Sequence, residues 1–247
     1  MMEIETLRPQ WPAQPRVQAL CSTRLGGVST GSWSSLNLGI RCGDEAGAVS
    51  ENRRHLVDAL QLPAEPCWLQ QVHGITVISL PAVGIEPQAD ASFTTQPGVV
   101  CAVLTADCLP VLLCDDSATV VAAAHAGWRG LAAGVLESTV KALPVAASEL
   151  MAWLGPAIGP EAFEVGDQVR DAFIAADAAA QGAFVPSHRP GHWYADLFAL
   201  ARQRLRHIGV SRCFGDDLST HADARRFFSH RRDRVTGRQA AMIWLKP

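Results

Sequence analysis

Three short segments each set a soft or borderline metal ligand beside backbone-permissive neighbours: Gln71-Val72-His73-Gly74, Ala106-Asp107-Cys108-Leu109-Pro110 and Ala124-His125-Ala126-Gly127-Trp128. Imidazole nitrogen and thiolate sulfur together suit Zn²⁺, and three protein ligands leave a fourth tetrahedral position open to water or substrate. Since 34 residues separate His73 from Cys108 and 16 separate Cys108 from His125, no local zinc-finger spacing is met. Each residue also has an ordinary structural reading, as a hydrogen-bonded histidine at a strand end or a cysteine in the core. Asp107, beside the cysteine, fits an acid/base role and equally a turn cap ahead of Pro110.

The elements that would carry these residues are short. Residues 17–22, 67–72, 75–80, 99–105, 110–114, 119–125, 150–154 and 239–245 are β-branched or apolar runs bounded by Gly, Pro and Asp, and are expected to be strands. Helical spacing predicts helices over 44–61, 130–143, 166–176 and 196–207. His125 thereby falls at a strand-to-helix junction rich in glycine, and Arg24 at the turn where a strand ends in Gly26-Gly27. Strands and helices mix without regular alternation, so the expected fold is an α+β layered sandwich of two mixed β-sheets flanked by helices, in a single domain over 1–247.

Composition narrows the function. With 48% hydrophobic and 18% charged residues, the chain can bury one large core. A net charge of −3 supplies no basic field for a phosphate backbone, so a small diffusible substrate is expected and nucleic acid is not. The apolar runs at 99–104 and 119–124 are too short for a bilayer, which argues against a membrane partner. Met1-Met2-Glu3-Ile4-Glu5 is acidic where a secretory signal would be basic, and the seven cysteines are odd in number and irregularly spaced. A cytoplasmic protein with reduced thiols is therefore expected. No exposed apolar stripe or heptad demands a partner copy, which favours a monomer.

Longer blocks point to a family. Residues 24–29 (Arg-Leu-Gly-Gly-Val-Ser), 35–39 (Ser-Leu-Asn-Leu-Gly), 71–74, 105–110, 124–130, 155–159 and 228–232, followed by Thr236-Gly237-Arg238, occur in the order seen in the laccase-domain family. That family was long called multicopper polyphenol oxidase, is also labelled peptidoglycan editing factor, and is read as purine nucleoside phosphorylase. The likeness covers about Trp11 to Leu245 and resembles proteobacterial members most. It implies an α+β fold, metal ligation by His73, Cys108 and His125, phosphorolysis of adenosine, inosine and methylthioadenosine to base and ribose 1-phosphate, and adenosine deamination. Two departures stand out: Ser219-Thr220 where many relatives carry Cys-Thr, and His230-Arg231-Arg232 where they carry Tyr-Arg-Arg.

Phosphorolysis asks for an anion pocket, and guanidinium groups bind phosphate oxygens bidentately. Arg24 is the first choice, followed by Arg129 and Arg231; each also reads as a loop-bracing residue. Asn37 fits a substrate hydrogen bond or a turn, and Trp128 a base-stacking surface or core. For deamination, a zinc-bound water with Asp107 as proton carrier is the expected arrangement. Three rivals remain. A copper oxidase would need more histidines or an axial methionine, although copper fits the same donors. A metal-free hydrolase acting on peptidoglycan precursors would use Cys108 with His125 or His73. A non-enzymatic metal binder would turn over no nucleoside.

Overall fold

A computed structural model describes residues 4–82, 84, 86–215 and 218–247; the Met1-Met2-Glu3 segment weighed above lies outside them. In chain order the first half runs β1 (Thr6–Leu7), β2 (Val17–Ser22), α1 (Ala46–Leu60), β3 (Val77–Ser79), β4 (Ala91–Thr94), β5 (Val100–Thr105), β6 (Leu109–Asp115) and β7 (Val121–Ala126). The second runs α2 (Trp128–Ala133), α3 (Val135–Ala142), β8 (Leu150–Leu154), β9 (Glu164–Gly166), α4 (Asp167–Ala176), β10 (Phe184–Pro186), β11 (His192–Ala195), α5 (Leu197–His207), β12 (Arg212–Phe214), α6 (His230–Asp233) and β13 (Gln239–Leu245).

The expected α+β sandwich is present, with one amendment to its sheets. The six-stranded sheet, ordered β12-β8-β6-β7-β4-β3, is mixed, because β12 runs parallel to β8 and β3 parallel to β4. The four-stranded sheet, β1-β2-β13-β5, is antiparallel throughout. A small antiparallel sheet of β10, β11 and β9 stands apart from both.

The period-2 alternation of side chains explains the layering. Leu112 and Cys114 of β6, Val121 and Ala123 of β7, and Trp153 of β8 pack against Cys21, Val103, Ala241 and Ile243 of the other sheet. The alternate residues Val111, Leu113, Ala122 and Ala152 meet Leu131, Leu136, Phe173, Leu197 and Leu200 of the helices outside. On the far side, Leu20, Ala102 and Met242 are covered by Leu56 of α1. Both large sheets are therefore buried on both faces, which is why β6 and β7 read as unbroken apolar runs.

Three expected elements take a different form. The helix over 130–143 is split at Gly134, whose φ of +101° ends α2 and starts α3. Asp44 does not cap α1; Glu45 holds that position, and the Asp44 carboxylate accepts from Ser29 Oγ and Asn37 Nδ2 instead. Residues 67–72 lie extended but join no ladder beyond single bridges at Cys67 and Gln70.

Candidate metal centre

The chain crosses from the four-stranded to the six-stranded sheet between β5 and β6, and Cys108 sits in that crossing. Position 107 takes φ of +92° in the turn, so the backbone there is bent into a conformation that non-glycine residues rarely adopt. His125 is the penultimate residue of β7. His73 lies in the loop ahead of β3, again with positive φ, at +60°. Their ligand atoms converge to within 4.8 Å of one another, and Cys108 Sγ is 3.7 Å from His73 Nε2. Two ligands of a tetrahedral zinc, at its usual nitrogen and sulfur distances, stand about 3.6 Å apart, so the arrangement is already the right size for one ion.

Gly127 makes this convergence possible. A Cβ there would fall 2.8 Å from His73 Cδ2 and 2.9 Å from Cys108 Sγ, so only glycine lets the start of α2 approach both. Gly130 repeats the logic one turn on, where a Cβ would meet the Gly74 carbonyl at 2.9 Å.

Asp90, which the sequence reading did not single out, organises both histidines. Its fully buried carboxylate lies 2.8 Å from His125 Nδ1 and accepts the amides of His73 at 2.9 Å and Gly74 at 2.7 Å. An Nδ1–H held this way fixes the ring and leaves Nε2 as the metal-facing nitrogen. Burial works against the charged Asp90, but the His125 hydrogen bond and the Gly74 amide outweigh it and keep its pKa below the usual carboxylate range.

The thiol and the imidazole polarise each other. Burial would push the Cys108 thiol up, yet the charge and hydrogen bonds of His125 and His73 bring it down to about 6. Burial would likewise depress His125, yet Cys108 and Asp90 raise it to about 9. Near neutral pH, without metal, the pair is a thiolate beside an imidazolium. By contrast Cys21, Cys101 and Cys114 have no such partner, and burial pushes each up to about 12.

His73, Cys108 and His125 line a cleft of about 470 Å³, which also takes in Arg41, Cys42, Arg53, Gln71, Glu86, Thr105, Arg129, His230 and Arg238. Of the arginines weighed from the sequence, Arg129 alone lines it. Arg24 lies outside, donating through Nε to the Ser34 carbonyl and stacking on Phe228. Arg231 donates its guanidinium to the carbonyls of Ala162 and Glu164 and bridges loops rather than facing the cleft.

Asp107 is held by hydrogen bonds at both carboxylate oxygens. Its carboxylate accepts Thr220 Oγ1 at 2.7 Å and the Arg231 amide at 2.6 Å, which ties the β5–β6 crossing to Thr220 and to the first turn of α6. Asn37 likewise acts on backbone: Oδ1 accepts the amides of Gly39 and Arg238, shaping the wall that bears them. Trp128 packs against the helical core, with Arg129 stacked 4.5 Å from its ring.

Fold and site together define a single-domain α+β protein in which, among the described residues, one His-Cys-His group that could hold a metal ion opens onto an arginine-lined cleft. The family model described as multi-copper polyphenol oxidoreductase laccase matches residues 18–246, and the chain belongs to that family. It is similar to a purine nucleoside phosphorylase of Pseudomonas aeruginosa, 55% identical, with 97% of this chain and 98% of that protein covered. A purine nucleoside phosphorylase of Escherichia coli is 54% identical, with 96% and 97% covered. Among solved structures, a Neisseria meningitidis protein superposes with a TM-score of 0.94 at 48% identity, covering 98% of this chain and 99% of that one.

Proposed function

We propose that the chain is a metal-dependent purine nucleoside phosphorylase. It converts adenosine, inosine or methylthioadenosine and phosphate to free base and ribose 1-phosphate, and also deaminates adenosine. The observation that carries this reading is the sharing of one cleft by the His-Cys-His group and four arginines, in a chain about half identical to proteins of that name.

The donor set suits zinc, since a soft thiolate and two imidazoles in one small cluster match its ligand preference, and copper fits the same atoms. His73, Cys108 and His125 would hold the ion, which when bound supplies Lewis acidity and an open coordination position. The rest of the chemistry belongs to side chains. Asp90 keeps the His125 ring oriented and the His73 loop in place. The cleft arginines neutralise phosphate and hold it against the ribose. Proton transfer to the departing base falls to His230, which lines the same cleft. His230 Nδ1 donates to the Arg234 carbonyl at 2.6 Å, so the proton handed to the base would come from Nε2 of the imidazolium form.

A second reading draws on the same pair. Thiolate Cys108 beside His125 is the arrangement of a metal-free cysteine hydrolase, and peptidoglycan precursors would be its substrates. The laccase of the family description needs several coppers, whereas among the described residues one His/Cys/Asp/Glu group lies within reach of an ion. The described helices are none of them long and apolar enough to cross a membrane, and the described cysteines are free. A monomeric enzyme working in the cytoplasm is part of this proposal, and it rests on the irregular cysteine pattern and the lack of a heptad in the sequence. Incubating the protein with each nucleoside and with or without phosphate tests the reading. Phosphate-dependent ribose 1-phosphate supports it, and no nucleoside turnover together with cleavage of cell-wall fragments supports the hydrolase.

A further inference from the structure

The cleft that takes in Cys108 also contains a guanidinium, that of Arg53, whose hydrogen bonding is incomplete. Arg53, on α1, is largely buried and immobilised on three sides. Nε donates to the Leu38 carbonyl at 3.0 Å, Nη1 donates to Glu86 at 2.8 Å, and the guanidinium stacks 4.4 Å from the centre of the Trp68 ring. Its remaining nitrogen, Nη2, is shielded from solvent and has no protein acceptor. A buried cationic donor without a partner is costly, and such a group is satisfied when an anion arrives.

Arg41 and Arg238 line the same cleft. Arg238 is steadied by donating to the carbonyls of Thr236 and Gly237, while Arg41 is half exposed and paired only with Glu86. Glu86 thus joins Arg41 and Arg53 through the two oxygens of one buried carboxylate, the geometry in which two guanidiniums grip an oxyanion.

We propose that Arg53 and Arg41 form the phosphate subsite of this cleft, and that Glu86 occupies it as an internal stand-in that the phosphate dianion must displace. The inference rests on the phosphorolytic reading given above. Inorganic phosphate and the phosphate group of ribose 1-phosphate present the same oxygens, so both directions of the reaction would use this subsite. Glu86 lowers the cost of keeping two arginines together in the empty cleft and sets phosphate affinity by competition.

The test is titration of inorganic phosphate into the intact, metal-loaded protein by calorimetry, with steady-state KM values for phosphate and inosine measured in parallel. Arg53→Lys keeps the charge but loses the fork, and should weaken phosphate about tenfold or more while the KM for inosine moves less than about threefold. Glu86→Gln removes the competitor at similar volume and should tighten phosphate by about threefold or more. Should Arg53→Lys misfold, Arg41→Lys, at a more exposed residue, is expected to weaken phosphate in the same direction. Phosphate affinity within about twofold of wild type in Arg53→Lys and Glu86→Gln, or weakened by Glu86→Gln, would overturn the subsite. Because calorimetry reads binding without turnover, a wild-type protein that binds phosphate but makes no ribose 1-phosphate refutes phosphorolysis and leaves the subsite standing.

Discussion

Oδ1 of Asp90 stands 2.8 Å from Nδ1 of His125, and the same carboxylate accepts the backbone amides of His73 and Gly74. One side chain therefore fixes two of the three candidate ligands at once. Asp90→Asn keeps the volume but exchanges an acceptor for a donor at one oxygen, and is expected to lower zinc affinity by about 10–100-fold. Asp90→Ala should in addition destabilise the metal-free fold by about 1–3 kcal/mol for each buried amide left unpaired. Chelator competition and thermal unfolding of the stripped proteins check the two effects separately; unchanged zinc affinity in Asp90→Asn would remove the orienting role.

The polarised Cys108–His125 pair makes one thiol stand out. With its pKa brought down to about 6, Cys108 is a thiolate above that pH and a thiol below it. Alkylation of metal-free protein by iodoacetamide should therefore rise with pH to a half-maximum near 6 at Cys108 alone, while Cys21, Cys101 and Cys114 stay unmodified through pH 8. Peptide mapping reads the sites, and added zinc should protect Cys108. A half-maximum near the pH of an ordinary cysteine, about 8.5, would show that the histidines do not act on it.

Gly127 has φ of −64°, which any residue can adopt, so a substitution there tests space alone. In Gly127→Ala the new methyl group lies under 3.0 Å from both His73 and Cys108. Zinc affinity should fall by about tenfold or more, through displaced ligands, with a loss of about 1–3 kcal/mol in stability from overpacking. Metal binding equal to wild type would mean that the ligands relax freely and the close approach is incidental.

Much of the frame was legible because buried strands write themselves as apolar runs. The expected strands over 17–22, 150–154 and 239–245 coincide with β2, β8 and β13. The break at Gly134 was not legible, since Leu131, Val135, Leu136 and Val140 keep a helical period across it. The small sheet of β9, β10 and β11 escaped because its residues are largely half-exposed and show no apolar alternation.

The three candidate ligands were visible because histidine and cysteine beside glycine are distinctive; their partners were not. Asp90 is one aspartate among many until β4 and β7 pair and bring its carboxylate to His125, 35 positions away. Arg53 reads as part of the charged outer face of a helix, and only the fold turns it toward Trp68 and Glu86. Conversely Arg24 and Asp107, chosen for their neighbours in sequence, are committed to loop carbonyls and to Thr220. Spacing names the residue types a site needs, but the fold decides which copies of them are free.

The most direct test of the central claim is zinc content measured alongside phosphate-dependent cleavage of inosine, for wild type and Cys108→Ala. About one zinc per chain and ribose 1-phosphate as product are expected for the wild type, with both lost in the variant. Full phosphorolysis by protein stripped of metal, or by Cys108→Ala, would contradict the account.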